Sequence, residues 1–290
     1  MTIMTWGERV FQWLLIAGIM LLCVCMIYPF LHELSISLSS HKEALRPGVH
    51  LYPRELSSEA YRQVFQSGNL WTAMYNSVFR TVVGTLLMLL IMTTAAYALS
   101  KTYLPHRRLY TLYIVITMFF SGGLLPTYLL VKGLGLFDTR WSLIVPVLMN
   151  TYWMIIMRNF FMSFSVEIEE SAKMDGANDI RILASIIMPL SKPILATIGL
   201  FCAVFHWNAW FDALIYTQDK SLTILQILLR RLIITGDNLD IQSMMASAQA
   251  PPPESIKAAI LMVVTAPILL VYPFLQKYFT KGILVGSVKG

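Results

Sequence analysis

Charge is scarce in this sequence. Only 13% of its 290 residues are Asp, Glu, Lys or Arg, against roughly 25% in soluble domains. So little charge leaves too little polar surface to cover a water-soluble globule, which excludes one as the bulk of the chain. Cysteine is scarce too. Cys23, Cys25 and Cys202 all lie within apolar runs, which excludes a disulfide framework or a metal-ligand spacing and leaves them as small hydrophobes. No run reads G-x-x-x-x-G-K-[ST], so the chain has no phosphate-cradling loop. "LHELS" begins like a zinc-protease motif, but Ile36 stands where the second His belongs, and no Gly-x-Ser-x-Gly elbow is present. No catalytic residue, no metal and no enzyme activity are expected. Internal repeats and low-complexity tracts are also missing.

What is present is apolar: 57% of residues, with mean hydropathy +0.64. A span needs about 20 predominantly apolar residues, and six segments qualify: 10–31, 73–99, 109–131, 141–164, 193–216 and 257–279. The expected fold is all-α integral membrane. The first segment is too long for a signal-peptide core, its flank is nearly neutral and no clear cleavage site follows, so it reads as a retained span. The net charge of +6 reads as orienting Lys and Arg, not as a nucleic-acid surface. Lys101, Arg107 and Arg108 in the 100–108 loop, and Lys277, Lys281 and Lys289 in the tail, come without acids. They place residues 1–9, the tail at 281–290 and the 165–192 loop on the cytoplasmic side.

The 165–192 loop holds "EESAKMDGANDIRILASIIMPL". Ile180, Leu183, Ala184 and Ile187 fall on one face of a helix. Gly176 can end a first short helix, Asn178 or Asp179 can cap a second, and Pro189 and Pro193 interrupt the ladder before the fifth span. A helix–turn–helix elbow on the membrane surface is expected. From the residues alone it is either an interfacial connector or a docking feature. "FFSGG" (Phe119–Gly123) is expected to mark a close helix crossing rather than a kink. Arg158 is expected to snorkel.

Glu170, Ser171, Ala172, Gly176, Ile186, Met188 and Pro189 resemble the EAA loop of ABC importer permeases, with Ser171 and Met188 as mild departures. "FSGGLLPTYLLVKGLGLFDTRWSLIVP", "IIMRNFF", "FHWNAW" and "QKYFTKGILVGSVKG" extend the resemblance over most of the chain. They are similar to carbohydrate permeases of the maltose-importer type, in particular the second permease of transporters for oligosaccharides or polysaccharide fragments. The resemblance implies a type I importer bundle over 10–280, with Glu170, Ser171, Ala172, Asp175, Gly176 and Pro189 coupling it to a cytoplasmic ATPase dimer. ATP and Mg would sit on that partner, and no cofactor on this chain. It also implies a second permease chain, an extracellular solute-binding protein and a bacterial cell membrane, of Gram-positive type. In the family the loop between the last two spans reaches the binding protein; here Gly236, Pro251, Pro252 and Pro253 would carry it.

For the substrate path, polar and aromatic groups within spans are the candidates: Trp207, Asn208, Trp210, Asp212 and Tyr216 in the fifth, and Asn150 in the fourth. Their alternative is an aromatic belt with helix–helix polar contacts. A secondary transporter would show paired broken helices and buried ion-coupling charges, and neither is evident in the sequence.

Overall fold

A computed structural model describes residues 5–231 and 251–287, of which 272 and 274–287 as backbone. Among the described residues the regular structure is helical, apart from one isolated antiparallel bridge between Ser39 and Leu56. The chain divides into two compact units, Met1–Leu70 with Leu229–Ala266 and Trp71–Leu228 with Pro267–Gly290.

In the first unit, α1 (Trp6–Ser37) starts at a capping box. The Glu8 carboxylate accepts the Thr5 N–H at 2.7 Å and Thr5 Oγ1 accepts the Glu8 N–H at 3.4 Å, satisfying two helix-end donors. The apolar window of α1 is 0% buried, so lipid is the solvent that suits it. Two short helices follow, α2 (His41–Ala44) and α3 (Glu59–Gln66). Ser57 N donates to Leu38 O at 2.8 Å, and the Ser37 and Tyr61 hydroxyls lie 2.9 Å apart, tying this polar segment back to the end of α1.

The second unit contains most of α4 (Gly68–Ser100), an unbroken helix of 33 residues. The expected third, fourth and fifth spans are each interrupted. α5 (Arg107–Phe119) and α6 (Leu124–Gly133) meet at 114°, and the 3-10 turns of Arg140–Val147 meet α7 (Thr151–Phe161) at 51°. The "FSGG" stretch is therefore a break, and the expected crossing is corrected. Gly123 adopts φ +85° with nothing within 4 Å of a Cβ placed on it. Among the described residues nothing packs there; the glycine supplies a positive-φ turn.

After α7 come α8 (Val166–Met174), then Asp179–Leu190 (α9), which bends 86° into α10 (Lys192–Asn208). α11 (Phe211–Tyr216) and α12 (Leu225–Arg230) follow, and α13 (Pro253–Ser287) closes the chain. The main core joins Met88, Met92 and Ala96 of α4 to Met154, Met157 and Phe161 of α7, Ile182 and Ile187 of α9, and Ile198 and Cys202 of α10. Four methionines fill the irregular gaps between these helices, as an unbranched, flexible side chain can.

α4 and α10 approach each other closely where Gly84 faces His206. A Cβ on Gly84 would lie 2.6 Å from His206 Nε2. Gly84→Ala is therefore expected to cost about 1–3 kcal/mol by overpacking. Thermal unfolding in detergent checks this, with a second arm. Gly84→Ala added to His206→Ala should cost almost nothing, because the ring it strikes is gone.

Candidate functional site

The elbow is built from two short helices and one left-handed turn. At the end of α8, Gly176 N donates to Lys173 O and Ala177 N to Ala172 O, both at 2.9 Å. This 5→2 and 6→1 pair is a Schellman motif, and it requires a left-handed residue at Gly176, whose φ is +79°. Ala172 and Ala177 both pack in the main core, supplying the apolar contact that accompanies the motif. Asn178 Oδ1 then accepts the Arg181 N–H at 2.9 Å and caps α9.

The apolar face of α9 differs from the expected one. Ile180 is 79% exposed and Ala184 is exposed, while Ile182 and Ile187 are buried. Leu183–Ile187 is a π turn, so buried residues recur at five positions rather than at the α-helical spacing. The widened turn directly precedes Pro189, whose ring would clash with the carbonyl four residues back in a regular helix. Of the expected docking residues, Glu170, Ser171, Asp175, Gly176 and Pro189 are exposed. Ala172 is 8% exposed and belongs to the core, which corrects its place at the tip.

Two clasps hold the elbow to the 100–108 turn. In one, Lys101 Nζ pairs with a Glu169 carboxylate oxygen and sits 3.8 Å from the Tyr97 ring centre. In the other, Lys173 Nζ lies 3.1 Å from Asp179 Oδ1 and 4.3 Å from the Tyr103 ring centre. The Tyr103 hydroxyl, and after it Lys173, hold the Asp179 carboxyl below its ordinary range, while hydrogen bonding to Asp179 raises the Lys173 ammonium. A depressed carboxylate stabilises above its ordinary pKa and stops doing so as pH falls through the folded value. A raised ammonium stabilises below its ordinary pKa and stops doing so as pH rises through the folded one. This clasp is therefore intact across the neutral range.

The expected substrate-path residues do not share one face, because the helix breaks at Ala209, whose ψ is 131°. Trp207 alone among them lines a cavity of about 610 Å³, together with Thr81, Trp153, Phe201 and Phe205. Trp207 Nε1 and Thr81 Oγ1 have no hydrogen-bond partner there. Asn208 is exposed and donates to Val204 O of its own helix at 2.9 Å. Asn150 Oδ1 caps α7 by accepting the Trp153 N–H at 3.1 Å. Trp210 packs with Leu143, Ala213, Ile224 and Ile227, and Tyr216 stacks on Tyr128 with ring centres 6.4 Å apart. Asp212 pairs with Arg80, which is 1% exposed and also donates to Ala209 O at 3.0 Å.

Gly236 lies outside the described residues. Pro251 and Pro252 are buried and Pro253 opens α13. Pro251 and Pro252 lead into the helix and Pro253 is its first residue, where a fixed φ suits a helix start. Arg158 does not reach for water alone, since its Nε donates to Leu99 O at 3.1 Å, at the end of α4.

Arg80 is the residue sequence reasoning missed. It was detectable as the one charged side chain in 73–99, because a charge inside a span is functional or paired by default. Lys101 and Glu169 were seen only as loop charges.

The profile of the family described as "Binding-protein-dependent transport system inner membrane component" matches residues 67–285. The polygalacturonan/rhamnogalacturonan transport system permease protein YtcP of Bacillus subtilis is 40% identical over 284 residues, covering 98% of this chain and 99% of that one. Protein LplC of the same organism is 42% identical over 264 residues, covering 91% and 90%. The crystal structure of a bacterial ABC transporter involved in the import of the acidic polysaccharide alginate superposes with TM-score 0.91 at 33% identity. It covers 96% of this chain and 100% of that one.

Proposed function

The chain belongs to the family of binding-protein-dependent transport system inner membrane components, and from that premise we propose that it passes fragments of acidic polysaccharides inward through the cell membrane. It is a permease subunit of an ABC importer and not an enzyme. The proposed substrate class rests on two relatives, one named for polygalacturonan and rhamnogalacturonan and one whose transporter imports alginate. The aromatic cavity offers stacking to the sugar rings and, among its described lining residues, no counter-charge to their carboxylates. Trp153, Phe201, Phe205 and Trp207 line it with aromatic rings, on which a pyranose face can stack.

The observation that carries the coupling role is the elbow tip. Met174 and Ile180, 88% and 79% exposed, stand beside the exposed Glu170, Ser171 and Asp175. A mixed apolar and acidic knob on a rigid turn suits a cleft in another protein better than it suits water. In this reading the knob docks in a cytoplasmic ATPase dimer that binds ATP and Mg, beside a second, homologous permease chain, and an extracellular binding protein delivers the sugar. The clasps support a cytoplasmic elbow and termini, since they join it to the loop of Lys101, Arg107 and Arg108, whose excess of positive charge marks that side. A Gram-positive source fits the Bacillus relatives.

A cysteine at Asp175 should crosslink to a cysteine scanned along the cleft of the ATPase subunit in the assembled importer. The yield should change when ATP and vanadate trap the closed state. Crosslinking at no cleft position would sink the docking role.

A further inference from the structure

We propose that Lys101 and Glu169 form a latch fastening the elbow to α4, so that a push on the elbow is carried along α4 to the cavity and not only through the chain into α10. This deepens the coupling role given above and rests on it. The two neighbouring acids of "EES" have separate duties: Glu170 faces outward, while Glu169 is turned inward and largely buried against Lys101.

Three observations carry the inference. First, the pair is removed from water, with Lys101 8% exposed and its ammonium against the Tyr97 ring. A buried ion pair contributes little net stability compared with apolar side chains of the same volume, but it holds the two elements that carry it in one fixed geometry. Second, the covalent route from the elbow is not a straight rod. It runs through the π turn at Leu183–Ile187 and an 86° bend before α10, so a push along α9 is not collinear with α10. Third, α4 is unbroken from Gly68 to Ser100, and Val78, Thr81 and Val82 on it form part of the cavity wall. A stiff rod latched at one end moves its other positions with it, whereas a hinged one does not. Lys101 and Glu169 are thus positioning residues, acting through α4 on side chains that face the cavity.

The test reads motion of α4 without requiring the substrate. In the assembled importer in liposomes, with Cys23, Cys25 and Cys202 replaced by alanine, a single cysteine at Val82 reports the cavity wall through its maleimide labelling rate. With ATP and vanadate the rate should change by about tenfold, within the range of coupling between sites. Lys101→Met should reduce that change to about twofold or less, and the charge swap Lys101→Glu with Glu169→Lys should restore most of it. An unchanged response in Lys101→Met, a swap no better than the single variants, or no response in the parent overturns the latch. The Asp175 crosslink, measured in the same preparations, separates the two ideas. If it persists while the Val82 response ignores Lys101, the latch alone fails; if it is missing in the parent, the docking role fails.

Discussion

Asp212→Ala destabilises the second unit by about 3–5 kcal/mol, the cost of removing one partner from a buried ion pair. Arg80 is 1% exposed and held between Asp212 and the Ala209 carbonyl. Without the carboxylate its guanidinium keeps one neutral acceptor and no counter-charge, in a place it cannot leave by rotation. Thermal unfolding of the detergent-solubilised complex reads the loss, and membrane abundance reads its consequence. Asp212→Asn keeps hydrogen-bonding capacity and should fall between wild type and Asp212→Ala. Arg80→Met combined with Asp212→Ala removes both charges and should be more stable than Asp212→Ala alone. An Asp212→Ala protein that melts with wild type would show that the pair carries no structural load.

The second large effect is on transport. Gly176→Pro should reduce uptake to background while membrane insertion stays normal. Proline has no N–H to give Lys173 O and fixes φ near −65°, where the turn holds +79°. Both Schellman bonds are lost, and α9 leaves α8 in a new direction. Gly176→Asn, a residue that tolerates the left-handed region, should keep most of the activity. Gly176→Ala should lie between, since its Cβ meets nothing within 4 Å and the penalty is conformational, about 1–2 kcal/mol. Uptake of labelled oligogalacturonate, with subunit levels measured by immunoblot, separates the three. Wild-type uptake by Gly176→Pro would remove the turn from the coupling path.

The elbow was readable in the sequence because its punctuation is local. A glycine after a short polar helix and an asparagine before the next determine turn and cap without help from the rest of the chain. The buried face of α9 was not readable, since a π turn shifts the period from 3.6 to five and only packing against α4 and α7 selects it. The division of labour between Glu169 and Glu170 was hidden for the same reason: neighbouring acids look alike until one finds Lys101, 68 positions earlier. In 193–216 the sequence has no proline or glycine at Ala209 to announce the break that sends Trp207, Trp210 and Asp212 to three different surroundings. Arg80 was visible and undervalued.

The lengths of α1 and α4 carry a last consequence. At 32 and 33 residues and about 1.5 Å per residue, each rod is roughly 48–50 Å long, against a hydrocarbon thickness of about 30 Å. Each must lean, or extend past the acyl chains into the headgroups. Where α4 extends at its carboxyl end, the turns of Tyr97 and Ser100, next to Lys101, leave the acyl region. Ammonium and carboxylate can thus meet at the depth of the lipid phosphates, and bilayer thickness itself becomes a variable: a thicker membrane draws that junction inward and should slow import before it unfolds anything.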